Sequence, residues 1–140
     1  EMATPETNFF KFDLQAAQQG LVPLVGRLVG AGAAAPVAAD MPWVTSVARN
    51  GSTKRVTLTL NKRFYKLVSW SWGYEDTNYG TAATRKYPVK VSDNVNSATA
   101  PTIVFQFEDG TDGQANAAVD LATTQAISLT LWMKQTSQSP

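Results

Sequence analysis

The chain has 140 residues, twelve Lys plus Arg against eleven Asp plus Glu, and neither cysteine nor histidine. The two missing residue types exclude disulfides, thiolate metal sites, Ser-His-Asp and Cys-His catalysis and zinc sites of the usual kinds. A net charge of +1, with 16% of residues charged, argues against a dedicated nucleic-acid binder, which would carry a basic excess.

The length suits one domain, and a chain of this size buries roughly two-thirds of its unfolded surface, enough for a core without staples. Glu1 to Lys11 has no basic stretch followed by an apolar one, so no signal peptide is expected there. "NFFKFDL" (8–14) alternates Phe10, Phe12 and Leu14 against Lys11 and Asp13, a pattern suited to adding a strand to a partner sheet. "LQAAQQG" (14–20) is a one- or two-turn helix candidate closed by Gly20. Residues 1–20 are read as an N-terminal arm and 21–140 as the folded domain.

In the stretch 21–40, Leu24 to Val29 reads as a strand and 30–39 as a linker. Positions 21, 24/25 and 28 also fit period 3.6, but Pro23 and the glycines oppose a helix. The apolar part, Leu21 to Val29, is far shorter than the roughly 20 residues of a membrane span. "WVTSVA" and "RVTLTLNK" (55–62) flank "RNGSTK", where Asn50-Gly51 predicts a hairpin turn with positive φ. In the second run Val56, Leu58 and Leu60 face one way, Thr57 and Thr59 the other. "KLVSWSWGYEDTNYG" (66–80) reads as a strand, Leu67 to Gly73, running into a loop. "KYPVKVSD" (86–93) is a strand that Pro88 places at an edge or a strand start. After the polar loop 93–101, "PTIVFQFED" alternates Ile103, Phe105 and Phe107 against Val104 and Gln106. "QANAAVDLA" (114–122) is a second short helix candidate. "AISLTLWMK" places Ile127, Leu129, Leu131 and Met133 on one face and Ser128, Thr130, Trp132 and Lys134 on the other. Seven or eight short strands without βα alternation predict an all-β, antiparallel, jelly-roll-like β-sandwich with an extended N-terminal arm.

Candidate sites are few. Glu108, Asp109 and Asp112 around "EDGTDG" lack the ligand spacing of an EF-hand, and the favoured reading is a solvated turn. Glu75 and Asp76 beside the tryptophans bring glycosidases to mind, but two adjacent carboxyls on a loop do not flank a bond. No enzyme, metal or cofactor is therefore expected. Lys54, Arg55, Lys62, Arg63 and Lys66 fall near one hairpin, and Arg85 with Lys86 makes a second basic pair; these read as solvated edges able to dock an acidic protein surface. Val68, Trp70, Trp72 and Tyr74 share one strand face, too many large rings for the core of a small sandwich. Trp132 is expected to point outward. Clustered exposed rings mark binding surfaces, so Phe9, Phe10, Phe12, Trp70, Trp72, Tyr74 and Trp132 are the candidate protein-interface residues. Core packing of the Trp70–Tyr74 run and a sugar-stacking strip are the competing readings.

The order "VTSVARNG" then "VTLTL", the strand start "RFYKLVS", then "TIVFQF" with a Gly/Asp turn and an Ala-rich stretch, and the closing "ISLTLWMKQTS" resembles small structural proteins of tailed bacteriophages, of the capsid decoration (cement) or head-fibre type. The likeness spans residues 24–137 as an order of strands and turns without a chemical motif; "SWSWGYEDTNYG" and the N-terminal arm depart from it. It implies a virion component, made in the host cytoplasm and carried on the capsid exterior. There it would be a homotrimer bridging subunits of the major capsid protein or another virion protein, without direct nucleic-acid or membrane binding. A tail, baseplate or fibre-attachment protein and a carbohydrate-binding β-sandwich module are the alternatives.

Overall fold

A computed structural model describes residues 20–78, 85–109 and 117–136; Phe9, Phe10, Phe12, both ends of the chain and the segments 79–84 and 110–116 lie outside the described residues. The described residues form nine antiparallel strands: β1 (Leu21–Val29), β2 (Val37–Ala39), β3 (Val44–Arg49), β4 (Val56–Leu60), β5 (Lys66–Asp76), β6 (Lys86–Asn94), β7 (Thr102–Asp109), β8 (Ala118–Val119) and β9 (Gln125–Lys134). A front sheet has the order β2-β1-β9-β5; a back sheet has β3-β4-β7-β6, with β8 also pairing β7.

The period-2 runs are the strands that meet between the sheets. Leu24, Leu28, Ile127, Leu129, Leu131 and Met133 from the front and Val56, Leu58, Leu60, Ile103, Phe105 and Phe107 from the back form one buried core. The antiparallel β-sandwich expected from the sequence is the observed fold: the first and last long strands lie side by side, and the chain crosses between layers after β2, β4, β5 and β8. The two strands not located in the sequence are β2 and β8, of three and two residues, too short to show a period. β2 falls in the stretch read as linker. β8 and the extended Asp120 to Ala122 replace the described part of the 114–122 helix candidate, because pairing of Ala118 and Val119 with β7 supplies hydrogen bonds that a marginal helix would have to make alone.

One side of the sandwich is closed where the chain passes from β2 to β3. Trp43 Nε1 donates to the Val25 carbonyl at 2.9 Å, and Met41 packs onto β1 at Gly26. A Cβ at Gly26 would overlap Met41 Cγ and meet the Asp40 carbonyl oxygen at 3.0 Å. At one end of the back sheet Arg49 holds Asp120 with a two-pronged pair, Nε to Oδ1 at 2.6 Å and Nη2 to Oδ2 at 3.0 Å, and Lys86 pairs with Asp109 at 3.2 Å.

The β3–β4 turn differs from its sequence reading. Positive φ falls on Lys54 (57°), not on Asn50-Gly51. Asn50 acts through its side chain, whose Oδ1 accepts the amides of Ser52 and Thr53 at 3.0 and 2.9 Å, while its carbonyl accepts from the Lys54 amide at 2.9 Å. An asparagine oxygen thus ties the turn together and forces a side-chain-bearing residue into the left-handed region.

Two substitutions probe this packing. Gly26→Ala should lower stability by about 1–3 kcal/mol through overpacking, read as a drop in the urea midpoint with unchanged slope. Lys54→Gly should raise stability by about 0.5–1 kcal/mol by relieving the left-handed residue, seen in the same titration.

Candidate functional site

β5 carries the aromatic run and is longer than expected, reaching Asp76 rather than Gly73. It pairs with β9 along its length, with a bulge at Val68 that separates Leu67↔Met133 from Ser69↔Trp132. Beyond the bulge Trp70, Trp72 and Tyr74 stand opposite Leu131, Leu129 and Ile127 and so share the core-facing side. Their environments nevertheless differ. Trp70 is half-buried and meets Phe105 edge-on, with centroids 5.2 Å apart and rings 64° apart. Tyr74 also packs against the core. Trp72 remains 46% exposed, as does Val68 at the bulge. The cause is position: β5 is the last strand of the front sheet, so the core-facing side of its middle opens at the rim of the sandwich.

Trp132 points outward as expected, half-buried between Pro23 and Ser69 on the outer side of the front sheet. Beside it run two rows, Val25–Thr130–Ser71 and Arg27–Ser128–Gly73, with Val25 59% exposed. This face is made mostly of small, uncharged side chains. Charge is confined to its ends: Arg27 pairs with Glu75 at 2.9 Å at one end, and Lys66 stands directly opposite Lys134 at the other.

The two ends of the sandwich have different polar chemistry. Where β5 ends and β9 begins, the buried Gln125 donates from Nε2 to Tyr74 Oη at 3.0 Å and to Asp76 Oδ2 at 3.4 Å, and accepts the Ala122 amide at 2.9 Å. Tyr74 Oη donates to Asp76 Oδ2 at 2.8 Å, and Asp76 Oδ1 accepts the Asn78 amide at 2.9 Å. The Asn78 amide, followed by the Tyr74 hydroxyl, holds the Asp76 carboxyl below its ordinary value; burial, followed by the neighbouring carboxylate, pushes the Tyr74 phenol up. Asp76 and Gln125 line an open depression of about 410 Å³ together with Arg27, Glu75 and Thr77. Each carboxylate there already has a protein partner, so the cluster works as a clasp between β5 and the β8–β9 connection.

The opposite end is basic. Lys54 and Arg55, grouped in sequence with Lys62, Arg63 and Lys66, lie a full length of β4 away from them. The fold instead adds Lys134, which sequence spacing alone had no means to find. Among the described residues, none of Lys62, Arg63, Lys66 and Lys134 has an ion-pair partner. Arg63 Nε donates to Asn96 Oδ1 at 2.8 Å, and Tyr65 is exposed beside it.

The "EDGTDG" carboxylates are not a solvated turn throughout. Glu108 and Asp109 end β7, and Glu108 is buried, accepting from Tyr87 Oη at 3.2 Å and Gln106 Nε2 at 3.0 Å; Asp112 lies outside the described residues. Among the described residues no three carboxylates converge where a metal ion would sit, and no helix is long and apolar enough to cross a membrane. Comparison with protein-family models, curated proteins and solved structures found no match.

The Asp76 clasp has a pH signature. Its carboxyl titrates lower in the folded chain than its ordinary value near 3.8, so its contribution is complete above that value and is lost as pH falls through the depressed one. Asp76→Asn should therefore lower stability at neutral pH and flatten the acid limb of a stability-against-pH curve measured by urea unfolding; a limb as steep as the parent's would assign acid sensitivity elsewhere.

Proposed function

We propose that this chain is a non-enzymatic structural protein of a virion, a decoration protein that sits on the outside of a phage head and bridges coat subunits. The observation that carries the proposal is the surface around β5: a rim exposing Trp72 and Val68, and an outer face beside it whose charges lie near its ends. Such a surface suits burial against another protein, because little charge must be desolvated to cover it. The resemblance of residues 24–137 to phage head proteins supports the same reading.

The mechanism is adhesive. Each copy contributes a modest apolar contact, and the unpaired cations Lys62, Arg63, Lys66 and Lys134 steer it toward an acidic coat surface. On a symmetric shell, many such contacts act together, so the lattice gains far more than one contact supplies. A homotrimer presenting three equivalent surfaces at a local three-fold position fits this role.

A tail, baseplate or fibre-attachment protein has the same needs and differs in copy number. A sugar-binding module has less support: a stacking strip requires Trp70, Trp72 and Tyr74 exposed together, and β5 turns Trp70 and Tyr74 toward the core. Electron microscopy and quantitative mass spectrometry of virions that carry the chain test the reading. Density on the outer head at hundreds of copies is expected; a few copies at the neck or tail would move the protein to the tail reading, and absence from particles would remove both.

A further inference from the structure

The two sheets have four outer edges, and three of them are blunted. β2 is three residues long and runs into Asp40 at a φ of 54°. β3 carries a bulge between Val44 and Ser46 and ends in Arg49. β6 carries Lys86, Pro88 and Lys90 and a bulge between Lys90 and Ser92. These are the devices by which sheets avoid unwanted pairing. β5 is the exception. It is an 11-residue strand, its one bulge lies near its start, and from Leu67 to Tyr74 it has neither charge nor proline. Among the described residues nothing pairs with its outer edge, and Trp72 stands exposed on its core-facing side. A long edge without charge or proline over eight residues is a template for another strand.

We propose that residues 8–14 of a second copy of this chain fill that edge as an antiparallel strand, extending the front sheet to β2-β1-β9-β5-arm. The match is one of period and charge. With Phe12 opposite Trp72, Phe10 and Leu14 fall opposite Tyr74 and Trp70, and all three apolar side chains cover the open rim. Lys11 and Asp13 then lie on the outer side opposite Gly73 and Ser71. In the antiparallel direction Lys11 is diagonal to Glu75; in the parallel direction Asp13 takes that place and meets a like charge.

Reach selects the second copy over the chain's own arm. Gly20 sits beside Gln135, its carbonyl accepting that amide at 3.0 Å. From there, position 14 beside Trp70 is three strand spacings away sideways, roughly 14 Å. Trp70 lies opposite Leu131, which puts it four residues up the sheet from Gln135, roughly 13 Å. The diagonal is about 19 Å, against a limit of about 20–22 Å for six fully extended steps. The chain's own arm would have to run taut through "QAAQQ", a sequence of helix formers, whereas a neighbour's arm carries no such constraint. The inference concerns how copies of this chain join and stands whether or not they decorate a virion.

The absence of cysteine makes a direct test available. Gly73 tolerates a side chain, since a Cβ there meets only Ser128 Cβ at 3.8 Å and Oγ at 3.9 Å. Directly opposite residues of an antiparallel pair have Cα atoms about 4.5–5.5 Å apart, within disulfide range. Lys11→Cys and Gly73→Cys full-length chains, each checked for the parent's circular dichroism, are mixed and oxidised. A covalent product of twice the chain mass is expected from the mixture, and its loss when Ser52→Cys replaces Gly73→Cys. Asp13→Cys with Ser71→Cys provides a second pair of the same register should the first misfold. A mixture that stays at single-chain mass, or a doubly substituted chain that closes only on itself, overturns the proposal.

Discussion

The insertion of β9 between β1 and β5 is the interaction on which the rest of the structure depends. β9 pairs with Leu21–Val29 on one side and Lys66–Asp76 on the other, and all four of its core residues, Ile127, Leu129, Leu131 and Met133, are buried. Without it the front sheet would have no centre, and the Phe105 and Phe107 side of the back sheet would face water. Its pairing with β1 joins residues about a hundred positions apart, so the loop-closure entropy must be offset by apolar burial gained at once along β9.

The same arrangement explains why one strand carries both core and surface aromatics. With β9 taking the centre, β5 is left at the rim. Trp70 reaches Phe105 and Tyr74 reaches Gln125, while Trp72 between them stays exposed. The clasp of Tyr74, Asp76 and Gln125 anchors the far end of β5, and the Tyr65 amide, bonded to the Lys134 carbonyl at 2.8 Å, anchors the near end. Hydrogen-bonded at both ends and, among the described residues, unpaired along its outer edge, β5 is the strand that the proposed arm would extend, and its anchoring would keep the entropic cost of that association low.

Much of the fold was legible from particular residues. Val56, Leu58 and Leu60, then Ile103, Phe105 and Phe107, then the β9 set alternate so regularly that both strand and buried face followed. Trp132 was placed outward by its neighbours' parity, and of the two places Pro88 allowed β6, an edge or a strand start, the edge is the one observed. The errors fell where tertiary pairing overrides local preference. The 114–122 stretch is too short for more than a marginal helix in isolation, and its Ala118 and Val119 form a short strand beside β7. Asn50-Gly51 signalled a turn correctly, but the left-handed residue is Lys54, because the Asn50 side chain closes a longer loop than the dipeptide alone requires.

By itself the sequence determined the strand class, the core faces and the chemistry that is out of reach, because period, residue type and the absence of Cys and His are local facts that need no partner. Tertiary structure alone decided which of three same-faced rings is exposed, that Lys54 and Arg55 part from Lys62, Arg63 and Lys66, and that Lys134 joins the latter. Those outcomes depend on the order of strands across the sheet. Strand order is a long-range property: a ring on a central strand and the same ring on an edge strand read identically in sequence, and differ only in whether a neighbour stands beside them.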